Sequence, residues 1–511
     1  MSGGMIMAVG SAESVEQLRG PETKIIDAAG GMVVPGFIDT HMHFLNGSYG
    51  LAMVKLRDAN TPREFSDRIR KFAETSPEGT WITEGDWDHE LWGGQLPHRD
   101  WIDQHTPNHP VFVSRLDGHM ALVNTAALEA AGIDDSVLDV DGGEIVRDAD
   151  GRLTGIFKDN AMSLIASRMP DPTPEQKDTA LQAGMAFVAA HGVTSVHNMD
   201  IAGPGILETY KRARDRGALI TRFYVAIGLP DWASLDSIVK ADGRGDEWLR
   251  IGVLKGMMDG SLGSHTAAFH EPFADAPEDR GLLLNDEQDM YRWISAADKA
   301  ELHVAVHAIG DRAIKSLLDM FERVENENGE RDRRFRIEHA QHIAPEDIAR
   351  FSKLDVIASV QPYHAIDDGR WAEKVIGPER IKTTYAFKAL LDADTRVAFG
   401  SDWAVAPPTP IEGIYAAVTR RTLDDANPNG WVPEQKITVI EALRAYTIDA
   451  AYASYEEDIK GSIEVGKLAD LVILDSDLRN SDPAEIRNVS VKMTLVGGEV
   501  VYSANQGERG Q

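Results

Sequence analysis

Five side chains in this sequence have the types and placement to hold metal ions: His41, His43, His307, His339 and Asp402. His41 and His43 stand two apart in VVPGFIDTHMHF, and side chains two apart on a strand point to the same side. Two imidazoles at one strand end can therefore share a cation, although His-x-His alone carries little weight. His307 follows an apolar run in LHVAVHAIG, His339 in RFRIEHAQ and Asp402 in TRVAFGSDW. Burying five such groups together without a cation would leave expensive polar atoms unpaired. The chain has no cysteine, so any metal is held by imidazole, carboxylate or a modified lysine, and disulfides are excluded.

These groups need strands to carry them, and the sequence supplies eight short β-rich runs with helix-length segments between them. The runs are 33–43, 192–200, 220–228, 249–260, 302–310, 334–341, 355–364 and 395–403. Eight is the closure number of a parallel barrel, whose active site lies at the carboxyl ends of its strands. The expected fold class is α/β, a (β/α)8 TIM barrel over 35–458. The segment at about 44–190 is too long for an ordinary connection, so it must be an inserted subdomain after the first barrel strand. It is rich in Trp, with Trp81, Trp87, Trp92 and Trp101. The β-rich ends, 1–34 and 459–505, are expected to form a small β-sandwich beside the barrel. The last residues, NQGERGQ, read as disordered.

Composition narrows the partners. With 43% hydrophobic and 26% charged residues the chain can bury a large core. Its formal charge of −30 argues against nucleic acid and anionic membrane surfaces. No leader peptide and no apolar run of membrane-spanning length is visible, which predicts a cytoplasmic protein acting on a small molecule.

The motifs PGFIDTHMH, HGVTSVHNMD, LKGMMDGSLGSHTAA, VHAIGDRA, IEHAQ and GSDW occur in this order, with LDGHMALVNTAAL and GRLTGIFKDNAM inside the insertion. In this the sequence resembles the amidohydrolase superfamily, and within it the YtcJ-like branch (amidohydrolase family 3) that includes N-substituted formamide deformylases. The resemblance implies two divalent metals, zinc being the best match to the ligands. His41, His43 and Asp402 would hold one and His307 and His339 the other, with a carboxylated Lys255 as bridge. An inward-facing lysine is costly unless neutralised or converted, and a carbamate would supply the bridging carboxylate. The alternative is a Lys255 salt-bridged to Asp259, four residues on. A homodimer is the expected assembly for this superfamily.

The implied reaction is hydrolysis of a C–N bond, in an N-formyl, N-acyl or cyclic amide, by a metal-activated hydroxide with Asp402 as general base. His119 and His197 are candidates to stabilise the oxyanion or orient the substrate. His265 and Asn198 replace the Arg and Asp more usual in the branch, which places His265 near the substrate and points to altered specificity. Trp403, with Tyr363 and the Trp-rich insertion, predicts an apolar or aromatic pocket. The short head, starting at Met5, implies either an abbreviated sandwich or a start further upstream. Two other readings use the same scaffold: a metal-dependent decarboxylase or isomerase, and a non-catalytic regulator. Lys255 and Asp402 together favour hydrolysis, and none of the ligands is missing, as a regulator's would be.

Overall fold

The computed structural model describes residues 1–201 and 203–504; the NQGERGQ tail lies outside the described residues. All eight runs form barrel strands: β1 (Phe37–Met42), β2 (Val193–Asn198), β3 (Arg222–Gly228), β4 (Leu249–Met257), β5 (His303–Ala308), β6 (Arg336–His339), β7 (Ile357–Val360) and β8 (Val397–Phe399). They lie in sequence order in one eight-stranded sheet whose neighbours are all parallel. The ring closes just beyond β8. There the Asp402 N–H donates to the His41 carbonyl at 2.7 Å and the His43 N–H to the Trp403 carbonyl at 2.6 Å.

Strands covered on both faces read as near-continuous apolar runs, which is why the barrel was legible. β1, β2, β3 and β5 are buried along their whole length. The first run differs from expectation because it divides at Gly36. Val33–Pro35 pairs antiparallel with Leu471–Leu474, and the chain then crosses into β1 where a Cβ at position 36 would lie 2.2 Å from Thr194 Oγ1. Only glycine fits that crossing.

Amphipathic helices cover the outside. The helix Asp311–Asn328 buries Ala313, Ile314, Leu317, Leu318, Phe321 and Val324, a stripe of helical period. The helix Pro174–Ala190 leads into β2 and begins with a capping box, in which Thr173 and Gln176 each satisfy the other's backbone N–H. Thr173→Ala is expected to lower stability by about 1 kcal/mol. A urea titration would show this as a lower midpoint with unchanged slope.

The barrel interior is polar below the strand ends. The guanidinium of buried Arg336 donates to the Thr40 carbonyl at 2.7 Å, to Ser359 Oγ at 3.0 Å and to His197 Nδ1 at 3.0 Å. It also pairs with Glu338 at 2.7 Å. Lys460 adds a second buried ion pair, to Glu456 at 2.8 Å, and donates to Ser195 at 2.7 Å.

The insertion is a structure of its own. Its five-stranded sheet runs in the order Ile82–Trp87, Val111–Arg115, Met120–Val123, Leu153–Asp159, Gly143–Arg147. One face packs Phe65, Ile69 and Trp87 and the other Phe112, Leu128 and Phe157, in clusters separate from the barrel core. Trp81, Trp87, Trp92 and Trp101 serve these cores; their abundance reflects packing and not a substrate pocket. The two ends of the chain meet as one four-stranded antiparallel sheet, Val33–Pro35, Leu471–Leu474, Val491–Val496 and Glu499–Ser503. Residues 7–32 add no strand to it. The sheet is tied to the barrel by the buried Arg222–Asp470 pair at 2.7 Å. Among the described residues no helix is long and apolar enough to cross a membrane.

Candidate metal centre

Five barrel strands and the turns after them bring the candidate ligands to one end of the barrel. His41 lies near the end of β1 and His43 immediately after it; Lys255 is in β4, His307 in β5, His339 ends β6, and Asp402 follows β8. His339 and Asp402 take left-handed backbone conformations, φ +71° and +62°. Non-glycine residues hold such angles at a cost of about 1 kcal/mol or more, a strain that clusters at functional sites.

The carboxylate of Asp402 is the hub. Its Oδ1 lies 3.4 Å from His41 Nε2 and 3.3 Å from His43 Nε2, and its Oδ2 lies 3.9 Å from both His339 Nδ1 and His364 Nε2. Two groups of potential ligands share it: His41, His43 and Asp402, and His339, His364 and Asp402. The His41 and His339 rings are 4.8 Å apart and the His307 and His339 rings 4.5 Å. His307 Nε2 lies 3.0 Å from the Gly260 carbonyl. Lys255 Nζ is 3.2 Å from His41 Nε2. The alternative pairing of Lys255 with Asp259 does not form: Asp259 accepts the backbone N–H groups of Ala268, Ile309 and Gly310 instead.

The electrostatics suit a cation. Burial, reinforced by the nearby Lys255, holds the His41 imidazole well below its ordinary range; His307 and His339 are held down by burial and by their neighbouring imidazoles. All three are neutral, as a metal requires. Burial also pulls on His43, but Asp200 and Asp402 outweigh it and push that imidazole up to about 9; these carboxylates already draw one positive charge to this point. Burial alone would raise the Asp402 carboxyl, yet the hydrogen bond and positive charge of His43 hold it below the usual carboxylate range. Asp402 Oδ1 and His364 Nε2 are buried without a hydrogen-bond partner among the described residues. An imidazole and carboxylate set with orphaned buried atoms fits a divalent cation.

His41 is oriented from behind. Its Nδ1 lies 2.6 Å from Glu338 Oε2, so Nδ1–H donates there and the Nε2 lone pair faces Asp402. Asp200 plays the matching part for His43, 3.3 Å from Nδ1.

Above the cluster is a cavity of about 520 Å³. His43, His119, Lys255, His307, His339 and Asp402 line it, while His41 is wholly buried behind them. His119 comes from the insertion, its Nδ1 2.6 Å from Asp159 Oδ1 and its ring 5.2 Å from that of His307. Three residues expected at the substrate stand elsewhere. His197 lies inside the barrel, accepting from Arg336. His265 pairs with Asp275 at 3.0 Å outside the cavity. Trp403 packs its ring on Phe44 and Phe187, on the outer side of the chain segment whose backbone closes the barrel. The indoles that do line the cavity are Trp293 and Trp371.

Sequence reasoning missed Asp200, Glu338 and His364. Arg336 and Glu338 are two apart on β6 and therefore share the inward face, a signal that was present in RIEH. His364 closes the seventh run in the sequence but belongs to the helix Pro362–Asp368, which starts on a proline at its first position.

A model described as the amidohydrolase family matches residues 24–502. This chain belongs to that family. It is 38% identical over 510 residues to the protein LONG AFTER FAR-RED 3 of Arabidopsis thaliana, covering 98% of this chain and 87% of that one. It is 28% identical over 525 residues to an N-substituted formamide deformylase of Arthrobacter pascens, covering 98% and 94%. Among solved structures, an uncharacterized metal-dependent hydrolase of Pyrococcus horikoshii superposes with a TM-score of 0.76 at 27% identity, covering 95% and 94%. The amidohydrolase fold thus extends over barrel, insertion and terminal sheet together.

Proposed function

We propose that this amidohydrolase is a metal-dependent enzyme that hydrolyses a C–N bond in an N-formyl, N-acyl or cyclic amide. The observation that carries this is Asp402, a buried carboxylate shared by two groups of imidazoles at the cavity floor. His41, His43 and Asp402 would hold one divalent ion and His307 and His339 a second, with His364 within reach of Asp402. Zinc suits these ligands best. When bound, the metal polarises the scissile carbonyl and brings the pKa of a water toward neutrality.

The chain's own groups do the rest. Asp402 takes the proton of the attacking water and passes it to the leaving nitrogen. His119, fixed by Asp159, faces the carbonyl oxygen as negative charge develops on it. Burial lowers the Lys255 ammonium to about 8, with Glu338 and Asp402 opposing. An amine so poised has a usable neutral fraction; it adds to carbon dioxide with loss of one proton, giving the carbamate that would bridge two metals. The formamide deformylase among the relatives supports an amide substrate.

Metal analysis of the purified protein, joined to a panel of N-formyl amines, N-acyl amines and lactams, tests this reading. The expected result is bound divalent metal and hydrolysis of at least one class, lost on chelation and restored by zinc. Protein that binds no divalent metal, or metal-loaded protein inert toward the whole panel, would overturn it.

A further inference from the structure

The charges on the cavity wall are nearly all spoken for. Asp117 pairs with Arg115 at 2.6 Å, Asp159 with His119 at 2.6 Å, Asp367 with Arg57 at 3.2 Å and Asp402 with His43 at 3.3 Å. Arg115, the guanidinium on this wall, is taken at both ends, by Asp117 and by Asp88 at 3.4 Å. A substrate carboxylate would therefore find no free guanidinium here. Asp368 is the exception: among the described residues lining the cavity it is the carboxylate with no ion-pair partner within 4.0 Å.

Asp368 is nevertheless held firmly. Gln341 Nε2 and the Tyr385 hydroxyl both donate to its Oδ2, at 2.9 and 2.5 Å. Its Oδ1 receives no hydrogen bond from a described residue, although the side chain lines the cavity. His364 and Asp368 stand four apart on the helix Pro362–Asp368 and so share a face. His364 Nε2 comes within 3.9 Å of the Asp402 carboxylate, and Asp368 stands one turn, about 6 Å along the helix axis, beyond His364. Trp371 follows, its N–H donating to the Asp368 carbonyl at 2.9 Å. Its indole and that of Trp293 line the same cavity, and such faces attract cations.

We propose that the cavity selects amides that carry a cationic amine set off from the scissile bond by a short alkyl chain, received by the free Asp368 oxygen on the wall that Trp293 and Trp371 also line. This rests on the hydrolase reading above and names its substrate class. Two further facts agree with it. Burial, reinforced by Asp367, pushes the Asp368 carboxyl up to about 7 because the Tyr385 hydrogen bond and the more distant Arg115 and Arg370 do not offset it. The formal charge of −30 also favours the approach of cations.

Three probes of matched length test the proposal on the metal-loaded enzyme: N-formylcadaverine, which ends in an ammonium, the neutral N-hexylformamide, and the anionic N-formyl-aminocaproate. Binding is read by calorimetry and hydrolysis by amine release. Wild type is expected to bind N-formylcadaverine at least about tenfold more tightly than the neutral probe, with the anionic probe weakest. Asp368→Asn loses that preference while retaining its metal, and Asp368→Glu, which restores the charge, regains it. Equal binding of all three probes, binding of none, or a preference that survives in Asp368→Asn overturns the proposal. Preference for the ammonium without hydrolysis of any probe sustains it and counts against the hydrolytic reading. Hydrolysis of the neutral probe without ammonium preference does the reverse.

Discussion

Asp402→Asn is expected to lower turnover of the metal-loaded enzyme by about 10²–10⁴-fold, the usual contribution of a positioned proton acceptor. Asparagine has the same shape and can still accept hydrogen bonds, but it cannot take a proton from water at neutral pH. The substitution also removes the negative charge that faces His41 and His43 at 3.4 and 3.3 Å, so metal affinity should fall as well. Turnover must therefore be measured at saturating metal, with bound metal counted in the same sample. A variant that keeps both its metal and its turnover would show that the proton goes elsewhere.

The second large effect belongs to a residue that touches no substrate. Glu338→Gln should weaken metal binding by about 10–100-fold, the range found when a carboxylate behind a ligating histidine is lost. Glu338 accepts from His41 Nδ1 at 2.6 Å and pairs with Arg336 at 2.7 Å. Glutamine would offer His41 either a weaker acceptor or an amide N–H, and the second would turn the imidazole to the tautomer whose Nε2 carries hydrogen. It would also leave Arg336 buried without its counter-charge. Competition against a chelator of known affinity reads the effect directly, and wild-type affinity in the variant would dismiss the orienting role.

These two residues mark how far the sequence could be read. Asp402, with His41, His43, Lys255, His307 and His339, was legible because barrel strands are covered on both faces, so a polar residue ending an apolar run stands out. The structure brings all six to one place. Glu338 was overlooked because it lies inside a run, where a charged residue looks like an interruption until its alternation with Arg336 is noticed. His364 and Asp368 sit on a helix after β7, where strand periodicity gives no guidance. Asp200 lies two residues past β2, in a connection whose path only tertiary contacts determine. The opposite error befell His197, whose strand position is right but whose depth in the barrel depends on Arg336. It befell Trp403 too: its neighbour Asp402 points inward, so its own ring turns out. The insertion was visible as an excess of chain, but its tryptophans, which suggested a pocket, pack the two cores of its five-stranded sheet.

The closing seam of the barrel has a consequence for how the molecule is made. Asp402 N–H meets the His41 carbonyl there, and side chains from the same two segments form one of the candidate ligand groups. The two are separated by roughly 360 positions, among the costliest loops this chain has to close. During synthesis the two histidines emerge early and wait for the aspartate until nearly the whole barrel exists. A cation held across the seam would then behave as the staple this cysteine-free chain otherwise lacks. Its capture would be a late step that certifies a finished barrel, since no shorter fragment contains the complete ligand set.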